Sequence, residues 1–516
     1  MVCRKARASM SEIITVIDIG SSAIRMCVAE HSGKKLNLLE NLSHPVPIGK
    51  DTFRTGRLSR ETINGCIEIL RDYRHVIEMF RSRNVAAYAT TAIREASNRD
   101  VFIDNVRSLT GIEVEVLSPA QTSFLLSEQL KKKIKGSQCS VGFSLGAGRS
   151  ELMVFSKNGL LFNASLDIGF MKMNQDFRKN KYTEEYYPAF LETTVENELR
   201  PFLSEVAKYP TLALYGTGQE LDEIRFVLNR RNPGEKKNSL AFKELTKLYK
   251  EVKNYSVEEL YHKLQISYES AEGIVATLVA AISLMRIFRA AELKLFRMPL
   301  GECLLSNIVA RKSEDYTEKM SEGIRRYVEN IGTALAFDVE HARHVASLAL
   351  DVFDETKSLH LMGHTERNYL LTAAILHDIG NVISTRSRQK HSQYIVNAQD
   401  FPFFNEEEKN IIGNIVRYHR SSLPKKTHVE FMALPHKARM TVMKLASLLR
   451  IADSLDNSQR QNVKHIRFNR EESRLTATVD SSDEPFSIEN SFNTKKDLFE
   501  DFFGIKLQLA VERTRK

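Results

Sequence analysis

The sequence predicts an α/β protein with a duplicated N-terminal half, followed by a mostly helical domain and a small α+β subdomain. A strand–turn–strand pattern at residues 13–29 returns at residues 139–156, and each copy heads a block of alternating strands and helices. Long helical patterns with few chain breakers begin near Ser313, and short alternating strands follow residue 463 around one helix near residues 497–503. Two similar α/β blocks suggest two lobes with a cleft between them.

These changes in pattern place the domain boundaries. The 516 residues (58.9 kDa) are enough for three or four domains of roughly 150 residues each. The predicted segments are a first lobe at residues 10–134, a second lobe at 138–312, a helical domain at 313–462, and the α+β subdomain at 463–516.

The first strand pair is IITVIDIGSSAIRMCVA, in which two apolar runs flank the turn Gly20-Ser21-Ser22. A tight turn that follows Asp18 can bring backbone N–H groups close to a phosphate. The elements predicted after it are a helix over residues 59–81, a strand over 85–89, a helix over 100–109 and a strand over 112–117.

The second strand pair is CSVGFSLGAGRSELMVFS, with Gly146 and Gly148 in its turn. A basic run at residues 131–137 precedes it and has two interpretations, a hinge or a solvated helix end. Farther on, LALYGTGQEL ends a short strand and opens a helix, a position suited to phosphate or ribose. Each turn alone is weak evidence, because glycine turns join strands in many proteins.

Composition excludes several classes of protein. Glycine and proline total 23 + 12 = 35 of 516 residues, well below the usual share of roughly 12%, which argues against collagen, disorder and an all-β sandwich. Lysine and arginine (74) exceed aspartate and glutamate (65), for a net charge of +9. Polyanions are therefore the expected partners. Nucleic acid is the weakest of these, since no nucleic-acid-binding motif is present.

Cysteine usage and apolar segments predict a cytoplasmic protein that does not bind membranes. The five cysteines form no CxxC pair, which is typical of reduced thiols. The longest apolar stretch, residues 274–285, is shorter than the ~20 residues of a membrane span and is interpreted as a buried helix. The N-terminus MVCRKARAS lacks the apolar core of a signal peptide, and Met1 and Met10 are alternative starts.

The order of several motifs is more specific than any one of them. The motifs are VIDIGSSAIRM, TGRLSRETI, ATTAIREASN, SLGAGRSEL, GTGQEL and KKDLFEDFFGIKL. In this order they resemble the exopolyphosphatase/guanosine pentaphosphate phosphatase (Ppx/GppA) family almost from end to end. The resemblance implies an actin-like (ASKHA) fold in two lobes, whose cleft removes terminal phosphates from polyphosphate or pppGpp with Mg²⁺. It also implies a homodimer.

The resemblance assigns expected roles to residues of the cleft. Asp18 matches a carboxylate that holds the metal through water, Arg94 matches an arginine that grips phosphate, and Glu151 matches the carboxylate that ends the second loop. Gln121 lies where the family has a water-activating glutamate. The residues expected to bind phosphate are Gly20, Ser21, Ser22, Gly146, Ala147, Gly148, Gly216 and Gly218.

The chain departs from the family pattern at positions that matter for catalysis. Ser144 replaces the aspartate that begins the second loop, and Gln121 and Thr122 replace two acids. Glutamine orients a water but cannot accept its proton, and the loss of a general base costs about 10²–10⁴ in rate. One hypothesis is therefore a cleft that binds phosphate and hydrolyses it slowly or not at all. The whole-chain resemblance favours an active cleft.

Nine of the fourteen histidines fall between residues 341 and 436. The segments HARHVASLA, AAILHDIGN, KHSQYIV, VRYHRSSLP and LLRIADSLDN resemble an HD domain, which implies a site for Mn²⁺, Fe or Zn²⁺. The expected ligands are His341, His377, Asp378 and Asp453, with His391 and His419 for a second metal. His344 is an alternative to His341. The competing interpretation is a scaffold around a polyphosphate channel, without metal.

Three functions follow from the sequence. The leading hypothesis is a Ppx/GppA-type phosphohydrolase acting on polyphosphate or pppGpp in the N-terminal cleft. The second places metal-dependent phosphate hydrolysis at the HD site. The third is a non-catalytic sensor of polyphosphate or a guanosine polyphosphate. Basic clusters at residues 131–135, 230–231, 386–390 and 425–426 are interpreted either as a polyanion path or as solvated faces.

Overall fold

The computed structural model divides the chain into two compact units, Met1–Ser313 and Glu314–Lys516. It describes residues 11–33, 35–132, 139–208, 211–231, 237–297, 299–313, 315–420, 422–471, 474–481 and 485–513. Most of the basic run at residues 131–137 therefore lies outside the described residues.

The first unit begins with one mixed sheet and its helices. These are β1 (Glu12–Ile19), β2 (Ala23–Ser32), β3 (Lys35–Pro45), α1 (Ile48–Thr55), α2 (Arg60–Met79), β4 (Asn84–Ala89), α3 (Thr91–Glu95), α4 (Arg99–Thr110), β5 (Val114–Val116) and α5 (Pro119–Leu130). Within the described residues the strand order is β3-β2-β1-β4-β5. Strands β1 to β3 are antiparallel neighbours, while β1, β4 and β5 are parallel.

A second sheet follows with the same arrangement. Its elements are β6 (Cys139–Leu145), β7 (Ser150–Ser156), β8 (Gly159–Leu166), α6 (Phe170–Lys179), α7 (Tyr187–Leu199), α8 (Leu203–Val206), β9 (Thr211–Thr217), α9 (Gln219–Arg231), β10 (Ser239–Ala241), α10 (Phe242–Val252), α11 (Val257–Leu264), α12 (Tyr268–Ile287), β11 (Glu292–Leu295) and α13 (Leu300–Ala310). The order β8-β7-β6-β9-β11 repeats that of the first sheet, and β10 adds an edge strand. Short 3₁₀ turns cover Glu184–Tyr186 and Arg200–Phe202. The predicted duplication is confirmed.

The two hairpins place equivalent residues opposite each other. In the β1–β2 ladder Asp18 pairs with Arg25, and in the β6–β7 ladder Ser144 pairs with Glu151. From Ile14 onward β1 is buried at every position, as expected for a strand whose sheet is covered on both faces. The strand pairing therefore fixes how far each of these four residues lies from the turn of its hairpin.

Each sheet also packs against a helix that belongs to the other half of the first unit in sequence. Helix α5, which precedes the second sheet in sequence, packs against β7 and β8, whereas α13, the last helix of the unit, packs against β1, β2 and α5. Buried residues of both sheets form one continuous hydrophobic cluster. The predicted boundary near residues 134–138 separates the sheets, but packing ties the lobes together. The four-segment division stays a prediction.

Helix α12 lies in this shared core. By length and composition it is long and apolar enough to cross a membrane, yet 83% of its apolar window is buried inside the protein. It contacts α6, α7, α9, α10 and α11. Ser267 caps its start by accepting from the Ser270 N–H. The predicted buried helix is thus confirmed and is longer than the apolar stretch that predicted it.

The second unit is mostly helical. Its elements are α14 (Tyr316–Ala334), α15 (Val339–Glu355), α16 (Lys357–His360), α17 (His364–Leu376), a 3₁₀ turn (Ile379–Val382), α18 (Arg388–Ala398), α19 (Glu406–Tyr418), α20 (Val429–Met432), α21 (His436–Leu455), β12 (Val463–Glu471), β13 (Arg474–Ser481), α22 (Pro485–Lys495), α23 (Asp497–Phe503) and β14 (Lys506–Arg513). Helix α21 contacts α15, α17, α19, α22 and α23. The strands form one sheet, β12-β13-β14.

The prediction of one helix among the C-terminal strands is wrong, because α22 precedes α23. The sequence of α22, PFSIENSFNTK, has few strong helix formers, and packing against α21 compensates. Strands β3 and β8 were also missed. Strand β3 is largely exposed and lacks strict apolar alternation, so ladder pairing with β2 defines it.

Arg450 of α21 is fully buried and joins three segments of the second unit. Its Nε donates to the Tyr418 carbonyl at 2.8 Å, its Nη2 to the Ser422 carbonyl at 3.0 Å, and its Nη1 contacts Asp497 Oδ1 at 2.5 Å. Removing the guanidinium would leave carbonyl groups without a donor in a dry interior.

We expect Arg450→Met to lower the free energy of unfolding of the full-length protein by about 3 kcal/mol, measured by chemical denaturation followed through the helical circular dichroism signal. Arg343→Met is the matched control. Arg343 pairs with Glu329 at 2.8 Å, but its side chain is 53% exposed, so its loss should cost at most about 1 kcal/mol. Equal losses in both variants would contradict a bridging role for Arg450.

Candidate active-site cleft and metal cluster

In the first unit the turns of the two hairpins lie against each other. A Cβ on Gly148 would lie 3.1 Å from Ser21 Oγ and 2.5 Å from Phe53 Cζ, so only glycine fits there without displacing a neighbour. The Gly20 N–H donates to the Ala23 carbonyl at 3.0 Å, and the Gly49 N–H donates to the Ser21 carbonyl at 2.8 Å. These bonds fix the shape of the first turn and tie it to the start of α1.

A cleft of about 540 Å³ opens beside the two turns. The predicted residues that line it are Asp18, Gly20, Ser21, Ser22, Arg94, Gly146, Ala147, Gly148, Glu151 and Gly218. Ser144 and Thr122, which replace family acids, also line it. The structure therefore brings together residues that are up to 200 positions apart in the sequence (218 − 18). The volume lies in the range of small-molecule sites, roughly 300–1,000 Å³.

Asp18 carries a buried carboxylate in this cleft. It is 6% exposed, and burial raises its pKa while Arg25 opposes the rise, with Nη1 3.9 Å from Oδ2. Among the described residues, Asp18 Oδ1 has no hydrogen-bond partner. A buried carboxylate oxygen without a donor suits a hard cation, so Asp18 fits the expected Mg²⁺.

Glu151 is held by two hydroxyl groups. Ser123 Oγ donates to Oε2 at 3.3 Å, and Ser165 Oγ donates to Oε1 at 3.2 Å. Glu151 is 6% exposed, so these bonds fix a carboxylate that has little access to water. The sequence analysis missed both serines, because they come from α5 and β8 and no local motif links them to Glu151.

Arginines supply positive charge near the turns. Arg94 Nη1 donates to the Leu117 carbonyl at 2.8 Å, which fixes the guanidinium at the cleft wall. Arg149 was not predicted. It also lines the cleft and pairs with Glu95 at 3.2 Å and with Asp167 at 2.7 Å. Its buried Nε has no hydrogen-bond partner within the described part of the chain.

The start of α9 forms another part of the wall. Gly218 has φ +157°, and a Cβ there would lie 2.6 Å from the Leu145 carbonyl oxygen, so glycine is required at this close approach. Glu220 lines the cleft, is 6% exposed, and burial raises its pKa to about 7. Sequence reasoning missed Glu220, since acids are common in the first turn of any helix.

Two predicted residues of the first unit do not line the cleft. Gln121 belongs to the capping box of α5, where its Oε1 accepts from the Ser118 N–H at 2.8 Å and its own N–H donates to Ser118 Oγ. Gly216 lies in β9, packed near Leu221 and Leu293. The capping hydrogen bond therefore occupies the side chain of Gln121 that was predicted to orient a water. Its neighbour Thr122, also in α5, does line the cleft.

The second unit contains a separate histidine–aspartate cluster, formed by His341, His377, Asp378, His419 and Asp453. His377 Nε2 lies 3.2 Å from His341 Nε2, 3.6 Å from Asp453 Oδ1 and 3.9 Å from Asp378 Oδ2. His419 Nε2 lies 3.6 Å from Asp378 Oδ1. Side chains from α15, α19 and α21 thus meet those at the end of α17.

Each imidazole of this cluster is anchored through its other nitrogen. His377 Nδ1 contacts the Ala374 carbonyl at 2.7 Å, His419 Nδ1 contacts the Val416 carbonyl at 2.6 Å, and His341 Nδ1 contacts Asp456 Oδ2 at 2.8 Å. An acceptor at Nδ1 assigns the proton to that nitrogen, which leaves Nε2 with a lone pair. Burial lowers the pKa of His377 to about 4, so its imidazole is neutral near pH 7.

The cluster therefore places lone pairs of imidazoles and carboxylates together. Both oxygens of Asp378 and His419 Nε2 are buried and make no well-aligned hydrogen bond among the residues described, although Arg388 Nε lies 2.8 Å from Asp378 Oδ1. Neighbouring acceptors repel each other unless a cation lies between them, and anchored Nδ1 groups are typical of metal-ligating histidines. The donor set fits a transition metal or Zn²⁺.

Two cations of the protein itself also reach the cluster. Lys495 of α22 binds Asp453, and Arg388 Nε lies 2.8 Å from Asp378 Oδ1. Lys495 and Asp456 were not predicted, because no spacing rule connects them to the histidines. His391 is absent from the set of described residues whose ligand atoms lie within 4.8 Å of one another (His341, His377 and Asp378), so its role as ligand stays a prediction.

Family comparisons agree with the geometry. The family model described as Ppx/GppA phosphatase family matches residues 27–311, more than half of the chain. The chain belongs to the Ppx/GppA phosphatase family. A second model, described as Ppx/GppA phosphatase, domain III, matches residues 324–501. The predicted family membership, and with it the assignment to a family of hydrolases, is confirmed.

Curated relatives match nearly the full length at low identity. A guanosine-5'-triphosphate,3'-diphosphate pyrophosphatase of Aliivibrio fischeri is 20% identical over 448 residues, 86% of this chain and 86% of that protein. A protein of the same name from Vibrio vulnificus is 21% identical over 488 residues, 92% of this chain and 93% of that protein.

Solved structures share the fold of more than half of the chain. The Ppx/GppA family member of Aquifex aeolicus has a TM-score of 0.51 and 24% identity, covering 59% of this chain and 100% of that one. An exopolyphosphatase of Cytophaga hutchinsonii has a TM-score of 0.53 and 18% identity, covering 58% and 99%. The predicted actin-like fold of Ppx/GppA proteins is confirmed, whereas the HD-like character of the helical domain stays a prediction.

The buried carboxylate of Glu220 makes stability depend on pH. The pKa of this carboxyl group rises from 4.5 to about 7 when the protein folds. Its contribution to the free energy of unfolding is therefore fully present below pH 4.5 and is lost as the pH rises through 7. Glu220→Gln removes this loss. We expect the variant to unfold at the same denaturant concentration as wild type near pH 4, and to be more stable above pH 7 by on the order of 3 kcal/mol. Parallel pH profiles for Glu220→Gln and wild type would contradict the assignment.

Proposed function

We propose that the cleft of the first unit hydrolyses terminal phosphate from polyphosphate or a guanosine polyphosphate. The observation that carries this proposal is the meeting of both turns, the unpartnered Asp18 oxygen and the anchored Glu151 carboxylate in one cleft. Relatives named as a pyrophosphatase of this nucleotide and as an exopolyphosphatase support the two substrates.

Residues of the chain would divide the work as follows. Backbone N–H groups of the turns at residues 21–22 and 146–148 bind phosphate oxygens, which the glycines allow to approach closely. Arg94, fixed by the Leu117 carbonyl, orients the phosphate through its planar guanidinium. Glu151, oriented by Ser123 and Ser165, accepts the proton of the attacking water.

Asp18 would hold Mg²⁺ through its unpartnered oxygen. Ser144, at the equivalent position of the second hairpin, offers only a hydroxyl, a weaker ligand than the family's carboxylate. Bound Mg²⁺ supplies compensation for the negative charge of the phosphates. Since Gln121 is engaged in the α5 cap, we assign proton transfer to Glu151, the carboxylate of the second hairpin that lines the cleft.

Wild-type protein should release phosphate from polyphosphate or pppGpp in the presence of Mg²⁺, and Glu151→Ala should lower the rate about 10²–10⁴-fold, because a general base is lost. Phosphate release is measured with purified full-length protein. Glu68→Gln, an exposed glutamate of α2, should retain the wild-type rate. A wild type that releases no phosphate while still binding both substrates would instead support the sensor hypothesis.

A second candidate function is metal-dependent phosphate hydrolysis in the second unit. It is favoured by the Nε2 atoms of His377 and His419, which lie 3.6 Å from Asp453 Oδ1 and Asp378 Oδ1, and by His341 Nε2, which lies 3.2 Å from His377 Nε2. A cavity of about 330 Å³ adjoins His341, His377 and Asp378, which leaves room for a small ligand beside the ligand atoms. A bound Mn²⁺, Fe or Zn²⁺ supplies Lewis acidity and acidifies water.

Cytoplasmic location and a homodimer stay predictions.

Purified protein should contain about one equivalent of transition metal or zinc, and His377→Ala combined with Asp378→Ala should abolish it, because two adjacent ligands are removed. Elemental analysis measures the metal without any assay of activity. His364→Ala, an exposed histidine of α17, is the control and should keep its metal. Equal metal content in wild type and the double variant would exclude this site.

A further inference from the structure

The cavity beside the histidine–aspartate cluster of the second unit has an apolar inner wall. Ala342, Ile375 and Ile379 line it, and each of these side chains is at most 3% exposed. His341 and His377, two of the expected metal ligands, line the same space. A molecule that binds at the cluster through one end therefore places its other end against apolar side chains.

The wall stays apolar up to the surface of the protein. Leu335 and Phe337 follow the end of α14, and Val382 ends the 3₁₀ turn. The side chain of Val382 is 53% exposed although it lines a cavity. Exposed apolar side chains around a concave site are typical of a surface that a ligand covers.

Charge on this wall restricts the ligand further. The described lining of the cavity contains neither lysine nor arginine. One carboxylate outside the expected ligands, Asp338, lies on the wall and accepts a backbone N–H of α15 at 3.0 Å. The cations that contact the cluster are engaged by its carboxylates, Arg388 by Asp378 and Lys495 by Asp453. A second negative group on the ligand would find no cation at the wall, and burying an unpaired charge is costly.

The volume of the cavity admits one small organic group. At about 330 Å³ it exceeds the ~150 Å³ in which an apolar cavity holds a benzene ring, which leaves room for a ring and one phosphate. Asn381 and Gln459 also line the cavity, and their amides offer hydrogen bonds to a neutral polar substituent. The matching ligand is a single phosphate joined to a neutral, mainly apolar group.

We propose that this cavity binds the organic group of a phosphomonoester of a small apolar alcohol, while the phosphate lies at the histidine–aspartate cluster. Hydrolysis adds water to phosphorus and breaks the P–O bond to the organic group. The products are inorganic phosphate and the free alcohol, whose oxygen keeps one proton of the water. This hydrolysis rests on the function proposed for the second unit, but binding of the organic group does not require it.

Phenylphosphonate and methylphosphonate are the probes, because they share a phosphonate group that water does not cleave and differ by the ring. Metal-free full-length protein receives one equivalent of Co²⁺, whose visible absorption reports ligands that bind at a histidine-bound ion. Wild type should bind phenylphosphonate on the order of tenfold more tightly, because the ring leaves water for apolar walls. 4-Carboxyphenylphosphonate should bind about tenfold more weakly than phenylphosphonate, because its carboxylate meets no cation.

Leu335→Asn and Val382→Asn should each weaken the binding of phenylphosphonate about fivefold, because apolar contact with the ring is lost, and should leave methylphosphonate binding unchanged. Ile383→Asn is the matched control, because this neighbouring side chain is 54% exposed and does not line the cavity. It should change neither dissociation constant.

The subsite is overturned if wild type binds the two phosphonates equally tightly, or if Leu335→Asn and Val382→Asn change both constants alike or neither. A Co²⁺ spectrum that persists in protein carrying both His377→Ala and Asp378→Ala would refute the metal site and the subsite together. A wild type that shows the ring preference yet releases no phosphate from phenyl phosphate would refute the hydrolysis proposed for the second unit and leave the subsite intact.

Discussion

The contact between two glycine turns sets the geometry of the N-terminal unit. Gly148 lies so close to Ser21 and Phe53 that a single Cβ would displace them, and this approach brings β1–β2 and β6–β7 together at their ends. Asp18 and Glu151, which stand near those ends in equivalent hairpins, consequently share one cleft. Helices α5 and α13 each pack against the sheet of the other block and against each other, which supports the same contact.

The second unit buries a cluster of imidazoles and carboxylates. Burying several imidazoles and carboxylates together is costly unless each polar atom has a partner. Backbone carbonyls and Asp456 satisfy one nitrogen of each ring, and the remaining Nε2 atoms of His377 and His419 lie near Asp453 and Asp378. Lys495 and Arg388 neutralise part of the carboxylate charge.

Much of the fold follows from periodicity and turn chemistry. The hairpins at Asp18 and Ser144, helix α2 and buried helix α12 are all visible as sequence patterns, because each depends on short-range spacing of apolar residues. Exposed strand β3 and helix α22 are not, since partners distant in sequence define them. For the site, glycine turns and Asp18 were predictable, whereas Ser123, Ser165 and Arg149 were not.

The sequence by itself determined the duplicated hairpins, the membership in the Ppx/GppA family and the histidine-rich character of the helical domain. Tertiary structure decided which side chains of a helix reach a site. Gln121 matches a catalytic position by alignment of motifs, yet its amide closes the capping box of α5. Glu220 was not singled out within GTGQEL and Phe226 matches no motif, yet α9 presents both to the cleft. The reason is that a helix face is oriented by packing against elements far away in sequence, which spacing along the chain does not encode.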